Sequence, residues 1–191
     1  MAYISVEEGL PGILGLLEFR QDTAKPIREL TQLLLRGPSP LNEGERELIA
    51  ALVSHRNKCA FCDSAHTATA DLLIGDSDVT AAIKEDIDSA PISDKMKALL
   101  KIAGKVQQSG RMVKDEDVTA AREKGATDQE LHDTVLIAAL FSMYNRYVDG
   151  LNSWTPENPK FYKSLARRIG PKGYNRPPNG YEGNKYFKTD E

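Results

Sequence analysis

Cysteine is scarce in this 191-residue chain, which has only Cys59 and Cys62. A secreted domain held by disulfides spreads several bridges over larger loops. A bond between residues three apart would close almost no loop, so stapling the fold is a poor use for this pair. Strand signals are also thin: Val, Ile and the aromatics are scattered rather than alternating, and no Asn-Gly turn separates two alternating runs. No apolar run approaches the ~18 residues of a membrane span. Residues 1–8 lack the basic and apolar regions of a secretory signal. The net charge of −3 provides no overall basic field for nucleic acid. These absences predict a soluble cytoplasmic protein with neither a membrane nor a nucleic-acid partner. In a reducing compartment, the cysteine pair then points to redox chemistry or metal binding.

What the chain does have is helical periodicity. Residues 10–20 and 24–36 read as two helices broken near Asp22 and Thr23, with Gly37 to Pro40 as the stop. Asn42 caps a helix to about 56, and a second spans about 59–73. Gly75 to Asp78 punctuates before a shorter helix to about 88. Ser93 caps a helix over 94–109, and Asp115 starts another that ends at Gly125. Thr127 and Glu130 form a capping box that opens a long apolar helix over 128–150. Residues 41–49 and 92–100 share a pattern of an apolar residue, a cap, charges and a buried helix. A duplicated helical unit and two unrelated well-capped helices both account for that likeness.

The C-terminal stretch differs. Residues 159–191 carry eight Lys or Arg against three Asp or Glu, a net of +5, so the remainder carries −8. The expected organisation is a helical domain over 1–155, then a C-terminal helix and a basic extended tail over 156–191. An ordered basic tail is expected to lie on the acidic body or on a neighbouring subunit; nucleic-acid binding by the tail is the weaker reading.

On one helix, Cys59, Cys62, His66, Thr69, Ala70 and Leu73 share a side. If that helix begins near Asn57, both cysteines sit in its first two turns. There the free N–H groups and the helix dipole favour a thiolate. Such a thiolate attacks peroxides and disulfides, and the second thiol resolves the product. His66 is placed to move the proton. Glu47 precedes Cys59 by twelve residues. A continuous helix would hold them ~18 Å apart, so cooperation requires a reversal near Arg56 to Lys58. Ala51 and Ser54 on Glu47's stripe would admit a close helix. The apolar neighbours Leu48, Ile49, Leu52 and Val53 predict burial of Glu47 with a raised pKa. His55 reads as a surface or helix-end residue. Zinc on His55, Cys59, Cys62 and His66 is the chemical rival, but on one helix the two histidines are ~16 Å apart.

The spacing of Glu47, eleven residues, Cys59-x-x-Cys62, three residues and His66 resembles the signature of the alkylhydroperoxidase D-like family, within the carboxymuconolactone decarboxylase-like superfamily. The likeness extends over about residues 10–155, with Leu136 to Phe141 and Asn145 to Tyr147 resembling the second helical half of peroxidase-related members. It implies an all-α, alkylhydroperoxidase D-like helical bundle that assembles as a homo-oligomer. It implies Cys62 as the peroxidatic thiol, Cys59 as its resolving partner, and Glu47 with His66 as the proton relay. It implies re-reduction by an external dithiol, such as a lipoyl group on a partner protein. One departure stands out. The best-known branch has a second histidine just before the second cysteine, and here that position is Phe61, which cannot shuttle protons.

The expected function is thus a thiol-dependent peroxidase acting on small-molecule alkyl hydroperoxides, with no cofactor and no metal. General thiol–disulfide exchange, or an oligomeric redox-sensing protein with little turnover, are the alternatives. Plain decarboxylases of the superfamily do not use a cysteine pair, so decarboxylation fits poorly.

Overall fold

The computed structural model describes residues 2–181. Residues 182–191 of the expected basic tail lie outside the described residues. Among the described residues there is no strand, and nine α-helices follow in order. They are α1 (Ile13–Phe19), α2 (Gln21–Arg36), α3 (Glu43–Arg56), α4 (Ala60–Ile74), α5 (Ser77–Glu85), α6 (Asp94–Gln108), α7 (Asp115–Glu123), α8 (Asp128–Gly150) and α9 (Pro159–Lys172). The all-α class expected from the sequence holds. No described helix is long and apolar enough to cross a membrane.

The caps read from the sequence are the ones the chain uses. Asn42 accepts from the Glu45 N–H while the Glu45 carboxylate accepts from the Asn42 N–H, each at 2.9 Å. Ser93 accepts from the Met96 N–H, and Thr127 with Glu130 closes the box at the start of α8. These contacts satisfy orphan donors of the first turn and fix where each helix begins. One boundary moved. The break between α1 and α2 falls at Arg20, not at Asp22 and Thr23. Arg20 is extended, its guanidinium grips Asp22, and the Thr23 hydroxyl donates to its carbonyl. That local network starts the helix three residues earlier than its apolar periodicity does.

Helix α3 is the axis of the molecule. Leu48 through Ser54 are each no more than 1% exposed. A helix buried on every side must lie within the bundle, and α3 packs against α2, α4, α5, α6 and α8. Burying its polar residues requires partners, and Arg46 finds them. It donates to the carbonyls of Leu34 and Gly37, which stand at the end of α2 without intrahelical donors of their own.

The reversal that Glu47 and Cys59 required is present at residues 57–59. The Cys59 N–H donates to the Ser54 carbonyl and the Lys58 N–H to the His55 carbonyl, with Lys58 left-handed at φ 60°. This is a Schellman ending in which lysine stands where glycine is usual. It folds α4 back along α3 and leaves Cys59 as the N-cap of α4. Gly12 supports the same region from the other side. Its φ is 54°, and a Cβ there would lie 2.3 Å from the Phe61 ring, so only glycine admits that ring.

Because α3 is enclosed by five helices, a void in it cannot be filled by one neighbour's shift. Leu52→Ala is expected to cost about 2–5 kcal/mol, read as a lower denaturation midpoint with an unchanged slope in urea titration. A loss below about 1 kcal/mol would contradict the central role of α3.

Candidate active site

The site lies where α3 and α4 run side by side, closed by α8, α9 and the segment after α9. Cys59 and Cys62 are both buried thiols, 0% and 3% exposed. On α4 the expected stripe of Cys62, His66, Thr69 and Ala70 faces inward. Cys62 is the third residue of the helix, where N–H groups are still free.

Glu47 is fully buried on α3, and three donors converge on its carboxylate. Arg36 reaches Oε1 at 2.7 Å, the Tyr174 hydroxyl donates to the same oxygen at 2.5 Å, and His66 Nδ1 meets Oε2 at 2.7 Å. Here the structure corrects the expected raised pKa. Burial does push the carboxyl up, but His66, then Arg36 and Tyr174, outweigh it and hold Glu47 below its ordinary value. An ionised Glu47 only accepts, so Nδ1 of His66 carries the donated proton, and in the neutral ring Nε2 is left as an acceptor. The imidazole is locked by Phe141, edge-on at 4.4 Å, and by Tyr174, stacked at 6.0 Å.

The expectation for Cys62 is corrected too. The sequence placed both in the first two turns with a lowered pKa. In the structure the adjacent Cys59 thiol, and then burial, push Cys62 well above its ordinary value. The helix N-terminus does not overcome two sulfurs sharing one dry space. One group opposes the shift: the Asn145 side chain on α8 hydrogen-bonds to Cys62 and lowers it. Its orientation is forced. Asn57 donates to Asn145 Oδ1 at 2.8 Å, and Asn145 Nδ2 donates to Ser54 at 3.0 Å, so the amide turns its N–H side to the sulfur. Gln107 anchors the chain by donating to Asn57 at 2.7 Å.

A cavity of about 60 Å³ opens beside these groups, lined in part by Cys62, His66, Phe61 and Phe141. Phe61, at the position of the missing histidine, packs against Phe161 and Tyr162 at ring distances of 6.4 and 6.0 Å. His55 is exposed and pairs with Asp63 at 3.0 Å, so the two histidines of the zinc reading serve different carboxylates.

Sequence reasoning missed Arg36, Asn145 and Tyr174. Asn145 left a trace, a lone amide between buried Phe141 and Val148 on one face of α8. Tyr174 left none. It reaches the site because the chain after α9 lies on α1 and α2, with the Tyr174 N–H donating to Gln32 and Arg176 gripping Glu18.

The carboxymuconolactone decarboxylase family model matches residues 21–71, which carry α2, α3 and most of α4. Two solved structures are similar at 26% identity. One is an uncharacterised peroxidase-related protein from Ralstonia eutropha JMP134 with an alkylhydroperoxidase AhpD core, TM-score 0.73, covering 82% of this chain and 81% of its own. The other is an uncharacterised peroxidase-related protein from Silicibacter sp. TM1040, TM-score 0.71, covering 77% of each chain. A protein of unknown function from Agrobacterium tumefaciens shares the fold at 19% identity and TM-score 0.66, covering 75% of this chain and 97% of its own. No curated protein matches by sequence. The chain thus shares the fold of solved peroxidase-related proteins, one of them with an alkylhydroperoxidase AhpD core, and its segment 21–71 is similar to the carboxymuconolactone decarboxylase family.

Two outcomes test this geometry. Asn145→Ala is expected to move the pH midpoint of Cys62 alkylation upward, and Cys59→Ser to move it downward, followed by mass spectrometry of the alkylated peptide. Shifts in the same direction would contradict the assigned contacts. Glu47 contributes stability above its ordinary value near 4.5, and that contribution fades as pH falls below it. Glu47→Gln should therefore cost about 3–5 kcal/mol at neutral pH, with the gap to wild type narrowing in acid. A constant gap in thermal melts down to pH 3 would contradict an ionised Glu47.

Proposed function

We propose that the protein is a thiol-dependent peroxidase that reduces small organic hydroperoxides at Cys62. The observation that carries this reading is the cavity shared by Cys62 and His66, with the imidazole held by a buried, ionised Glu47. Cys62 rests as a neutral thiol, so it needs a base at the moment of reaction, and Nε2 of His66 is the acceptor left for that role.

In the proposed cycle His66 takes the Cys62 proton, and the thiolate sulfur attacks the distal oxygen of ROOH. The O–O bond breaks, Cys62 becomes the sulfenic acid, and His66 returns the proton to RO⁻ to give ROH. Glu47 stabilises the transient imidazolium, as a carboxylate behind a catalytic histidine does. The Cys59 thiol then condenses with the sulfenic acid, forming the disulfide and releasing water. An external dithiol reduces that bond and leaves as its own disulfide.

The burial of both sulfurs favours a small peroxide over general exchange with protein disulfides, whose bulk cannot enter. By the same reasoning the reductant is a slender dithiol such as a lipoyl arm.

Cys62→Ser should abolish peroxide consumption, by at least 10³-fold on the order expected for loss of a nucleophile. Cys59→Ser should stop the cycle after one turnover, with a dimedone adduct on Cys62. Turnover by Cys62→Ser at the wild-type rate, or an adduct on Cys59 instead, would overturn the proposal.

A further inference from the structure

The wall of the cavity facing α2 and α9 is not apolar. It includes Arg28 and Arg168 alongside Ile13, Leu14 and Leu17. Arg28 is 6% exposed, and both arginines keep a buried Nε–H with no acceptor among the described residues. Buried cations are ordinarily paired, and an N–H left without an acceptor carries its full desolvation cost.

The local charges do not balance. Arg28 donates to Glu18 at 2.9 Å and to the Tyr181 hydroxyl at 2.9 Å. That single carboxylate is shared with Arg176, which also grips it, at 2.7 Å. Arg168 has no carboxylate within 4.0 Å among the described residues; its guanidinium lies over one side of Tyr181 at 5.5 Å, and Arg28 lies over the same ring at 5.6 Å. Two guanidinium groups therefore share one carboxylate while Arg168 has none among the described residues, and Arg28 and Arg168 both line the space that contains Cys62.

We propose that this cavity takes a short-chain organic hydroperoxide bearing a carboxylate, whose carboxylate is met by Arg28 and Arg168 while its peroxide lies at Cys62. This rests on the peroxidase reading and names its substrate class. The carbon chain meets Ile13, Leu14, Leu17 and Phe141, and the carboxylate supplies the acceptors that the two Nε–H groups lack. A guanidinium in a site of low dielectric makes strong charge-assisted bonds to carboxylates, and a site built around unpaired donors discriminates against a ligand that leaves them unpaired. The volume of about 60 Å³ exceeds what a single water needs, but it suits a short chain rather than a fatty acyl tail.

The test separates binding from turnover. On the full chain, butyrate is expected to slow alkylation of Cys62 by iodoacetamide, whereas butyramide at equal concentration is not. Arg168→Met should weaken butyrate protection by about tenfold or more, and Arg168→Lys should restore part of it. In turnover, a short hydroperoxy acid should exceed its methyl ester in kcat/KM by about tenfold, a preference that Arg168→Met erases. Equal protection by butyrate and butyramide, or unchanged protection in Arg168→Met with a native circular dichroism spectrum, overturns the anion site. Butyrate protection without turnover of either peroxide leaves the anion site standing and overturns the peroxidase reading instead.

Discussion

The carboxylate of Glu47 is the constraint on which the rest of the site depends. It sits on the most enclosed helix of the bundle with no exposure at all. A charge in that position survives only if donors replace its water. Those donors come from the end of α2, from α4 and from the chain after α9, through Arg36, His66 and Tyr174. One buried charge thus fixes the relative placement of three separate segments. Arg36 extends the linkage by donating to the carbonyls of Ile169 and Gly170, which ties the end of α9 to the same point. The Glu47–His66 pair and the closure of the bundle around it are therefore one structure. A change that loosens the C-terminal segment also changes the imidazole that faces Cys62.

Much of this was legible in the sequence because it is local. Asn42, Ser93 and the Thr127–Glu130 box mark helix starts through contacts within four residues, and spacing on α4 puts Cys62 and His66 on one face. Glu47 could be matched by its distance from the cysteines. What the sequence did not disclose is what each group's neighbours do to its charge. Apolar residues beside Glu47 pointed to a raised pKa, whereas Arg36 and Tyr174 arrive across the fold and lower it. Helix position pointed to a lowered Cys62, whereas the Cys59 sulfur and burial raise it. Both reversals have one cause: a pKa depends on tertiary partners as much as on the residue's own helix.

The two reversals are complementary. A site with an ionised carboxylate and a neutral thiol stores no thiolate at rest. Under the proposed cycle its reactivity depends on a proton transfer that occurs only when His66, Cys62 and a substrate are aligned. In that cycle Asn145 would ease the transfer, because its hydrogen bond lowers the Cys62 thiol against the larger upward push of Cys59 and burial. Its N–H is aimed at the sulfur by Asn57 and Ser54, so the donor is in place before charge develops. Preorganised donors of this kind act most strongly in a dry site, because they need no reorientation as the charge forms.

Phe61 narrows the proposed relay to one imidazole. A histidine there would give the thiols a second proton acceptor and a polar wall. Instead the ring is clamped between Gly12, Phe161 and Tyr162, and a side chain carrying charge would have to be desolvated to take its place. Among the described residues His66 is the sole imidazole lining the cavity, and its Nδ1 is already committed to Glu47. A single-track relay accepts one proton at a time. Under the proposed cycle the proton taken from Cys62 must be handed to the leaving alkoxide before the imidazole can serve Cys59. In that cycle cleavage of the peroxide comes first because it makes the sulfenic acid that Cys59 attacks, and returning the proton to the alkoxide leaves His66 free when the disulfide forms.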